Sequence, residues 1–320
     1  MPSLSVLTYN VKLLPSHVKL GVRPRGIPRG FYETGEQGLH DEDRVTRLIE
    51  RLCTGEWDIV CLQEVFQEGA RKRFAEAFEA LGYELVAHSS DNDPFHEDSG
   101  LFFASKLPIV WHRFEEFAAC AGSDALSDKG ILCARVDASA HFGGRPHELY
   151  VFATHLQSSV VHWPVRQLQL LQLQRFIKRC VGTPKANSAA AILAGDFNVA
   201  GESQVLGSTD LAPTAAYRSM LEILDYPRDA FRQAHPAKPG VTRDASLNYT
   251  MTRDVESQVE RIDYVFAFDA VPESDKEAVG DRLFALTCKH AAVLPFESED
   301  EDNRMRHLSD HFGVEATFEA

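Results

Sequence analysis

The sequence is short of several things, and each shortage narrows what the chain can do. No run in its 320 residues approaches the roughly 18 consecutive apolar side chains that a membrane-spanning helix needs. The start, Met1-Pro2-Ser3-Leu4-Ser5-Val6-Leu7, has neither the basic region nor the apolar stretch of a signal peptide and reads directly as a strand. Its six cysteines (Cys53, Cys61, Cys120, Cys133, Cys180, Cys288) are scattered with no CxxC pair, so no Cys/His zinc cluster has metal spacing. Most lie in apolar strand or helix patterns, which predicts buried free thiols and a reducing, cytoplasmic setting, or a secreted form whose leader lies outside this sequence. Basic side chains are outnumbered, 33 Lys and Arg against 47 Asp and Glu, leaving a formal charge of −14. That argues against a general nucleic-acid binder, which neutralises phosphates with a basic footprint. It leaves room for an enzyme whose metal ion reverses the local field. A Gly-rich Walker loop, a Gly-x-Ser-x-Gly elbow, an internal repeat and a long Pro/Gly/Ser linker are all missing.

What is present is an alternation of short apolar runs with amphipathic helical patterns, on a chain that is 44% apolar and long enough to bury a sizeable core. Strands are predicted at Leu4–Tyr9, Asp58–Leu62, Gly100–Ser105, Ile131–Val136, Leu149–Thr154, Ala191–Ala194, Ile262–Ala267, Phe284–Thr287 and Phe312–Phe318. Val45, Leu48, Ile49 and Leu52 repeat with helical spacing. Phe74, Phe78 and Leu81 mark a second helix, and Leu170, Leu173, Ile177 and Cys180 a third. The pattern predicts one α/β domain over residues 1–320, with stacked sheets and helices outside. Two segments read as loop insertions: Lys12–His40, rich in Gly, Pro and Arg, and residues 297–306, opened by the solvated acidic run Glu297–Asp302.

Strand after strand ends in a side chain suited to metal or phosphate chemistry. Leu4–Tyr9 runs into Asn10, Asp58–Leu62 into Gln63-Glu64, Leu149–Thr154 into His155, and Ala191–Ala194 into Gly195-Asp196-Phe197-Asn198. Arg261-Ile262-Asp263 opens another strand, and Ser309-Asp310-His311 precedes the last. Sheet rims are where a rigid scaffold converges such groups from distant sequence. Singly, each has a plain structural explanation: a turn for Asn10, a helix entry for Glu64, an ordinary imidazole for His155, an Asx turn for Asp196 and Asn198. Six together point to metal-assisted phosphodiester cleavage. Glu64, helped by Asn10, suits a hard divalent ion such as Mg²⁺, which takes oxygen ligands and keeps several waters. Such an ion polarises a phosphoryl oxygen. One histidine, oriented by an acid, takes a proton from the attacking water, and a second serves the leaving oxygen.

In their order, Leu7-Thr8-Tyr9-Asn10, Leu62-Gln63-Glu64-Val65, Ala153-Thr154-His155-Leu156, Gly195-Asp196-Phe197-Asn198, Arg261-Ile262-Asp263-Tyr264 and Ser309-Asp310-His311 resemble the motifs of the endonuclease/exonuclease/phosphatase superfamily, nearly end to end. That superfamily includes deoxyribonuclease-I-like nucleases, inositol polyphosphate 5-phosphatases and neutral sphingomyelinases. The resemblance implies a four-layered α/β sandwich with two central mixed β-sheets flanked by helices. Glu97–Ile109, Asp124–Gly130 and Ser309–Thr317 look most like the neutral sphingomyelinase / sphingomyelinase C branch.

Carried over by position, the resemblance implies Glu64 as principal metal ligand, with Asn10 beside it and Asp310 near the metal. Asp196 and Asn198 would bind the scissile phosphate and the attacking water, and His311 would be the general base, oriented by Asp263. His155 would assist the leaving group with Asp98 orienting it, while Lys129 and Asp124 would form a substrate-gating pair at the mouth. The implied cofactor is Mg²⁺, with Mn²⁺ or another divalent ion as alternatives. Two departures stand out: the disulfide that secreted bacterial relatives carry near the place of Cys120 is not matched, and their aromatic-rich hairpin is replaced by the acidic Glu297–Asp302 run.

The expected function is therefore hydrolysis of sphingomyelin to ceramide and phosphocholine by metal-assisted in-line water attack. Peripheral membrane contact through a phospholipid head group goes with it, and a stable nucleic-acid partner does not. The alternatives are another phosphoesterase of the superfamily, on an inositol or other lipid or soluble phosphate; a nuclease, disfavoured by the −14 charge; and a non-catalytic scaffold, which has no need of this set of side chains. Trp111, Phe114 and Phe117 read as core rather than as lipid contacts.

Overall fold

The computed structural model describes residues 3–14, 41–87, 98–142, 148–181, 189–204, 211–245, 247–248, 259–269, 286–299 and 305–319. Twelve strands build two six-stranded sheets. The first holds β1 (Ser3–Leu13), β2 (Ile59–Val65), β3 (Glu84–Ala87), β4 (Phe102–Ser105), β11 (Thr287–Leu294) and β12 (Gly313–Glu319), in the order β11-β12-β1-β2-β4-β3. The second holds β5 (Ile109–Glu116), β6 (Gly130–Asp137), β7 (Glu148–His155), β8 (Ala189–Asp196), β9 (Arg228–Asp229) and β10 (Asp263–Asp269), in the order β9-β10-β8-β7-β6-β5. Both are mixed in the same way: one central parallel pair, β1–β2 or β7–β8, with antiparallel neighbours outward.

Alternation along each central strand divides its side chains between two apolar layers. Leu4 and Val6, Ile59 and Cys61, Leu149 and Val151, Ile192 and Ala194 face the space between the sheets, where Leu132, Val265 and Phe318 join them. Leu7, Tyr9, Val60 and Leu62 point the other way, against helices α1 (Asp41–Cys53) and α2 (Glu68–Ala80), through Val45, Leu48, Phe74 and Phe78. Tyr150, Phe152, Ala191 and Leu193 do the same on the second sheet, packing with Leu170, Leu173 and Phe176 of α3 (Trp163–Val181) and Met220 of α4 (Ala215–Ile223). The result is helices, sheet, sheet, helices: the expected four-layered sandwich. Each fully buried Leu, Ile, Val or Phe here contributes about 1.5–3 kcal/mol, which favours strands apolar on both faces.

Several expectations need correction. The strand predicted at Phe284–Thr287 lies instead at Thr287–Leu294, residues 284–285 falling outside the described residues. It is an edge strand, and its Lys289-His290 pair disguises the alternation. β3 and β5, also edge strands, carry enough charge (Glu84, His112, Arg113, Glu115, Glu116) to hide theirs. Lys12 and Leu13 are not loop but the end of β1, and residues 15–40 of that predicted insertion lie outside the described residues. The acidic run is not all loop either: Glu297–Glu299 pairs antiparallel with Met305–His307. Only Cys61 and Cys133 are fully buried; the other four thiols are partly exposed, and all six are free. Phe117 is buried and Trp111 packs edge-on to Tyr150, as core residues do. Among the described residues no helix is long and apolar enough to cross a membrane.

Candidate active site

The two parallel pairs end side by side, and their ends carry the polar side chains. In β1–β2, Asn10 lies opposite Gln63, one residue before Glu64. In β7–β8, His155 lies opposite Asp196, and Asp263 at the start of β10 pairs with Asp196 from the other side. His311 enters from the turn before β12. Local backbone is bent to make this happen. Lys12, Glu64 and Asn198 all adopt left-handed φ values, of 49°, 59° and 51°. Such a conformation costs a non-glycine residue of order 1–2 kcal/mol and persists where the surroundings over-determine it. Gly195 is required: its φ is 152°, and a Cβ there would overlap the Thr154 carbonyl oxygen on the neighbouring strand.

Asp196 is the centre of the cluster. Its Oδ2 accepts a hydrogen bond from Asn10 Nδ2 at 3.1 Å, bridging the two sheets. The same oxygen lies 3.5 Å from His155 Nε2 and 3.8 Å from His311 Nε2. Its Oδ1 accepts from the Asn198 backbone N–H at 2.9 Å. Asn10 Nδ2 also donates to Glu64 Oε1 at 2.9 Å, and that oxygen is 3.8 Å from His155 Nε2. On the far side His311 Nδ1 meets Asp263 Oδ2 at 2.9 Å, an imidazole–carboxylate dyad. Asn198 Nδ2 donates to the Leu156 carbonyl at 3.1 Å, fixing its amide near the cluster.

The protonation states follow from these contacts. Burial by itself would lower the His311 imidazole, but the carboxylates of Asp263 and Asp196 outweigh it and raise it to about 10. His155 is driven the other way, well below its ordinary value, first by burial and then by the positive charges of Lys129 and His311. Burial and the Asp263 charge lift Asp196 to about 7, and burial with the Asp310 charge raises Glu64. Two histidines in opposite states thus flank one carboxylate, a split that environments impose at acid–base sites.

The site fits a divalent cation. Glu64 and Asp196 are two carboxylates drawn together by a single Asn10 amide, and burial with a neighbouring acid raises both, Asp310 for Glu64 and Asp263 for Asp196. Their oxygens are the hard donors that Mg²⁺-type ions take. Ligand atoms of Asp196, Asp263 and His311 also lie within 4.8 Å of one another. Because Asp263 is engaged by His311, Asp196 is the member of that trio that both groupings share.

Most of the residues singled out in the sequence meet here, and Asp98, Lys129 and Asp124 are placed differently from expectation. Asp98 does not orient His155: its carboxylate pairs with Arg71 and accepts from the Gly100 N–H at 2.9 Å, while His155 Nδ1 is buried with no hydrogen-bond partner among the described residues. Lys129 and Asp124 do pair, at 2.8 Å, but as a buried couple rather than at a mouth, and Lys129 Nζ lies 3.1 Å from His155 Nε2. Asp310 acts by its charge on Glu64 and also faces Lys12, with Nζ 3.0 Å from Oδ2. Lys12 escaped the sequence reading because it was assigned to a loop, although its place two residues after Asn10 was the available signal. Arg44 escaped it too. From α1 its guanidinium donates to the carbonyls of Val11, Lys12 and Leu308, at 2.7, 2.6 and 2.8 Å, tying the end of β1 to the segment that carries Asp310 and His311.

The chain belongs to the endonuclease/exonuclease/phosphatase family, whose model matches residues 7–311. Among curated proteins it is similar to a sphingomyelinase of Dictyostelium discoideum, 25% identical over 87% of this chain and 76% of that one. It is also similar to sphingomyelin phosphodiesterase 5 of Danio rerio, 27% identical over 80% of this chain but only 52% of the relative. Solved structures share the fold: beta toxin of Staphylococcus aureus (TM-score 0.69, 20% identity, 98% of this chain and 99% of that one). A variant of that toxin with bound magnesium ions gives a TM-score of 0.68 at 19% identity, over 98% of this chain and 99% of that one. TDP2 of D. rerio, complexed with a single-strand DNA product, gives 0.66 at 20% identity over 100% of both chains.

Proposed function

We propose that this chain, a phosphoric diester hydrolase by its family and its site, cleaves sphingomyelin to ceramide and phosphocholine with the help of Mg²⁺. The observation that carries the hydrolytic reading is Asp196 Oδ2, which gathers Asn10, His155 and His311 around one oxygen. The sphingomyelin reading is supported by the curated relatives at 25% and 27% identity. Peripheral contact with a phospholipid surface goes with that substrate.

Glu64 and Asp196 would hold the cation, and the Asn10 amide, which donates to both, would position their carboxylates. When bound, the cation supplies Lewis-acid polarisation of a phosphoryl oxygen and offsets the charge that develops there. The chain's own residues do the rest. Asp263 holds His311 by Nδ1, so that Nε2 faces the cluster; a cation held at Asp196 would offset part of the carboxylate charge that raises this imidazole, leaving Nε2 able to take the proton of the attacking water. The Asn198 amide, fixed by Leu156, is a donor for a phosphoryl oxygen. On the opposite side Lys129 Nζ stands against His155 Nε2, placing a proton source beside the imidazole that serves the leaving ceramide oxygen. Asp124 and the Leu156 carbonyl hold that ammonium in place.

The test is phosphocholine release from sphingomyelin in mixed micelles, with and without Mg²⁺, beside bis-nitrophenyl phosphate as a control without a head group. Metal-dependent release is expected. Turnover of the control alone would refute sphingomyelin and move the substrate elsewhere in the family, and no turnover of either would refute the hydrolase reading.

A further inference from the structure

Lys12 is the cation within ion-pair distance of Asp310 among the described residues, and its place is built rather than incidental. Its backbone is left-handed at φ 49°, in the irregular stretch where the β1–β2 register shifts between Asn10 and Leu13. The Lys12 N–H donates to Asn10 Oδ1 at 3.1 Å, and the Lys12 carbonyl accepts from Arg44 at 2.6 Å. With both backbone groups held, the side chain is directed at Asp310, and the pair is largely buried, at 18% and 12% side-chain exposure. Ser309 Oγ donates to the Asn10 carbonyl at 2.6 Å, locking the Asp310 segment onto the same strand end.

We infer that the Lys12 ammonium permanently occupies the cation position at Asp310, so that the site takes one divalent ion and not two. This rests on the reading that Glu64 and Asp196, joined by the Asn10 amide, hold a divalent cation. Those side chains meet through the Asn10 amide, and Lys12 is joined to the same Asn10 by its own N–H. A second divalent ion at Asp310 would have to displace a fixed positive charge from a carboxylate already neutralised by it, in a part of the protein where solvent screens little. Asp310 then orders the site by holding Lys12 and belongs to no metal shell.

The measurement is Mn²⁺ binding to the full chain, followed by the free-Mn²⁺ electron paramagnetic resonance signal up to ten times the Kd of the first ion. One Mn²⁺ per chain is expected for the parent, two for Lys12→Gln, and one again for Lys12→Gln/Asp310→Asn. Lys12→Gly serves as a second variant, because glycine adopts the left-handed backbone freely and removes the ammonium without strain. Two ions on the parent, or one on both Lys12 variants, would overturn the inference while leaving the metal reading intact. No Mn²⁺ on the parent would overturn the metal reading, and the inference with it.

Discussion

His155 and Asp196 stand opposite each other in parallel register on β7 and β8, with His155 Nε2 3.5 Å from Asp196 Oδ2. That register is the structural basis of the site, because Gly195 allows the two strands to approach and Asp263 then pairs with Asp196 from the third strand. An acid from β8 is thereby flanked by one histidine from its own sheet and another from the turn before β12, with Asn10 tying it to the other sheet.

The dyad of His311 and Asp263 gives the first expectation. His311→Ala lowers kcat on a water-soluble phosphodiester by roughly 10²-fold or more, the usual scale for a lost acid or base. Asp263→Asn does so to a smaller extent, since the imidazole stays but loses the carboxylate that holds Nδ1. Steady-state kinetics with unchanged circular dichroism check this, and a parent-like kcat in His311→Ala removes that histidine from the mechanism.

The buried Lys129–Asp124 pair governs stability as well as chemistry. Asp124 also accepts from the Ser158 N–H at 2.7 Å and its hydroxyl at 3.1 Å. Asp124→Asn leaves Lys129 charged and buried, and is expected to cost about 3–5 kcal/mol, the range for breaking a buried pair. Urea unfolding at pH 7 measures it, and a loss below 1 kcal/mol contradicts the buried-pair account.

The same pair makes a pH-dependent prediction. Burial would raise the Asp124 carboxyl, but Lys129 and Ser158 outweigh it and hold it below its ordinary value. A carboxyl depressed in the folded state contributes stability above its unfolded pKa of about 3.9 and loses it as pH falls through the lower folded value. The difference in melting temperature between the parent and Asp124→Asn should therefore be full at pH 6 and shrink below pH 4. A gap that does not change with pH would show that Asp124 stabilises by shape and not by charge.

Arg261 offers a test away from the reacting groups. It pairs with Glu202 at 3.0 and 2.6 Å and with Asp229 at 2.6 Å, and lies 4.6 Å from the centre of the Tyr264 ring. Arg261→Met leaves Asp229 buried without its cation and Glu202 with Arg232 alone, at 2.7 Å, and is expected to destabilise by about 3–5 kcal/mol. Arg261→Lys recovers only part, because a single ammonium does not reproduce the forked contact. Thermal unfolding of both variants decides, and equal recovery by lysine would contradict the role of the guanidinium fork.

What the sequence revealed and what it hid divide along physical lines. Strands buried on both faces, such as Leu149–Thr154 and Ala191–Ala194, announce themselves as apolar runs, and their polar ends placed Asn10, Glu64, His155 and Asp196 at one rim. Edge strands such as β5 and β11 carry exposed charge and do not. Side-chain pairing was less legible than position. Asp98 sits close in sequence to the site motifs but spends its carboxylate on Arg71, a residue on α2 that no motif marks. Lys12 and Arg44 act through backbone carbonyls and a left-handed turn, which leave no periodic trace in a sequence.

The most direct measurement is the rate of phosphocholine release by Asp196→Asn beside the parent, in sphingomyelin mixed micelles with saturating Mg²⁺. Asparagine keeps the shape and the Asn198 contact but removes the charge that both histidines share. The account predicts a metal-dependent parent rate and a loss of at least about 10³-fold in the variant, as for groups acting together at one centre. A variant within tenfold of the parent would contradict the placing of Asp196 at the centre of the reaction.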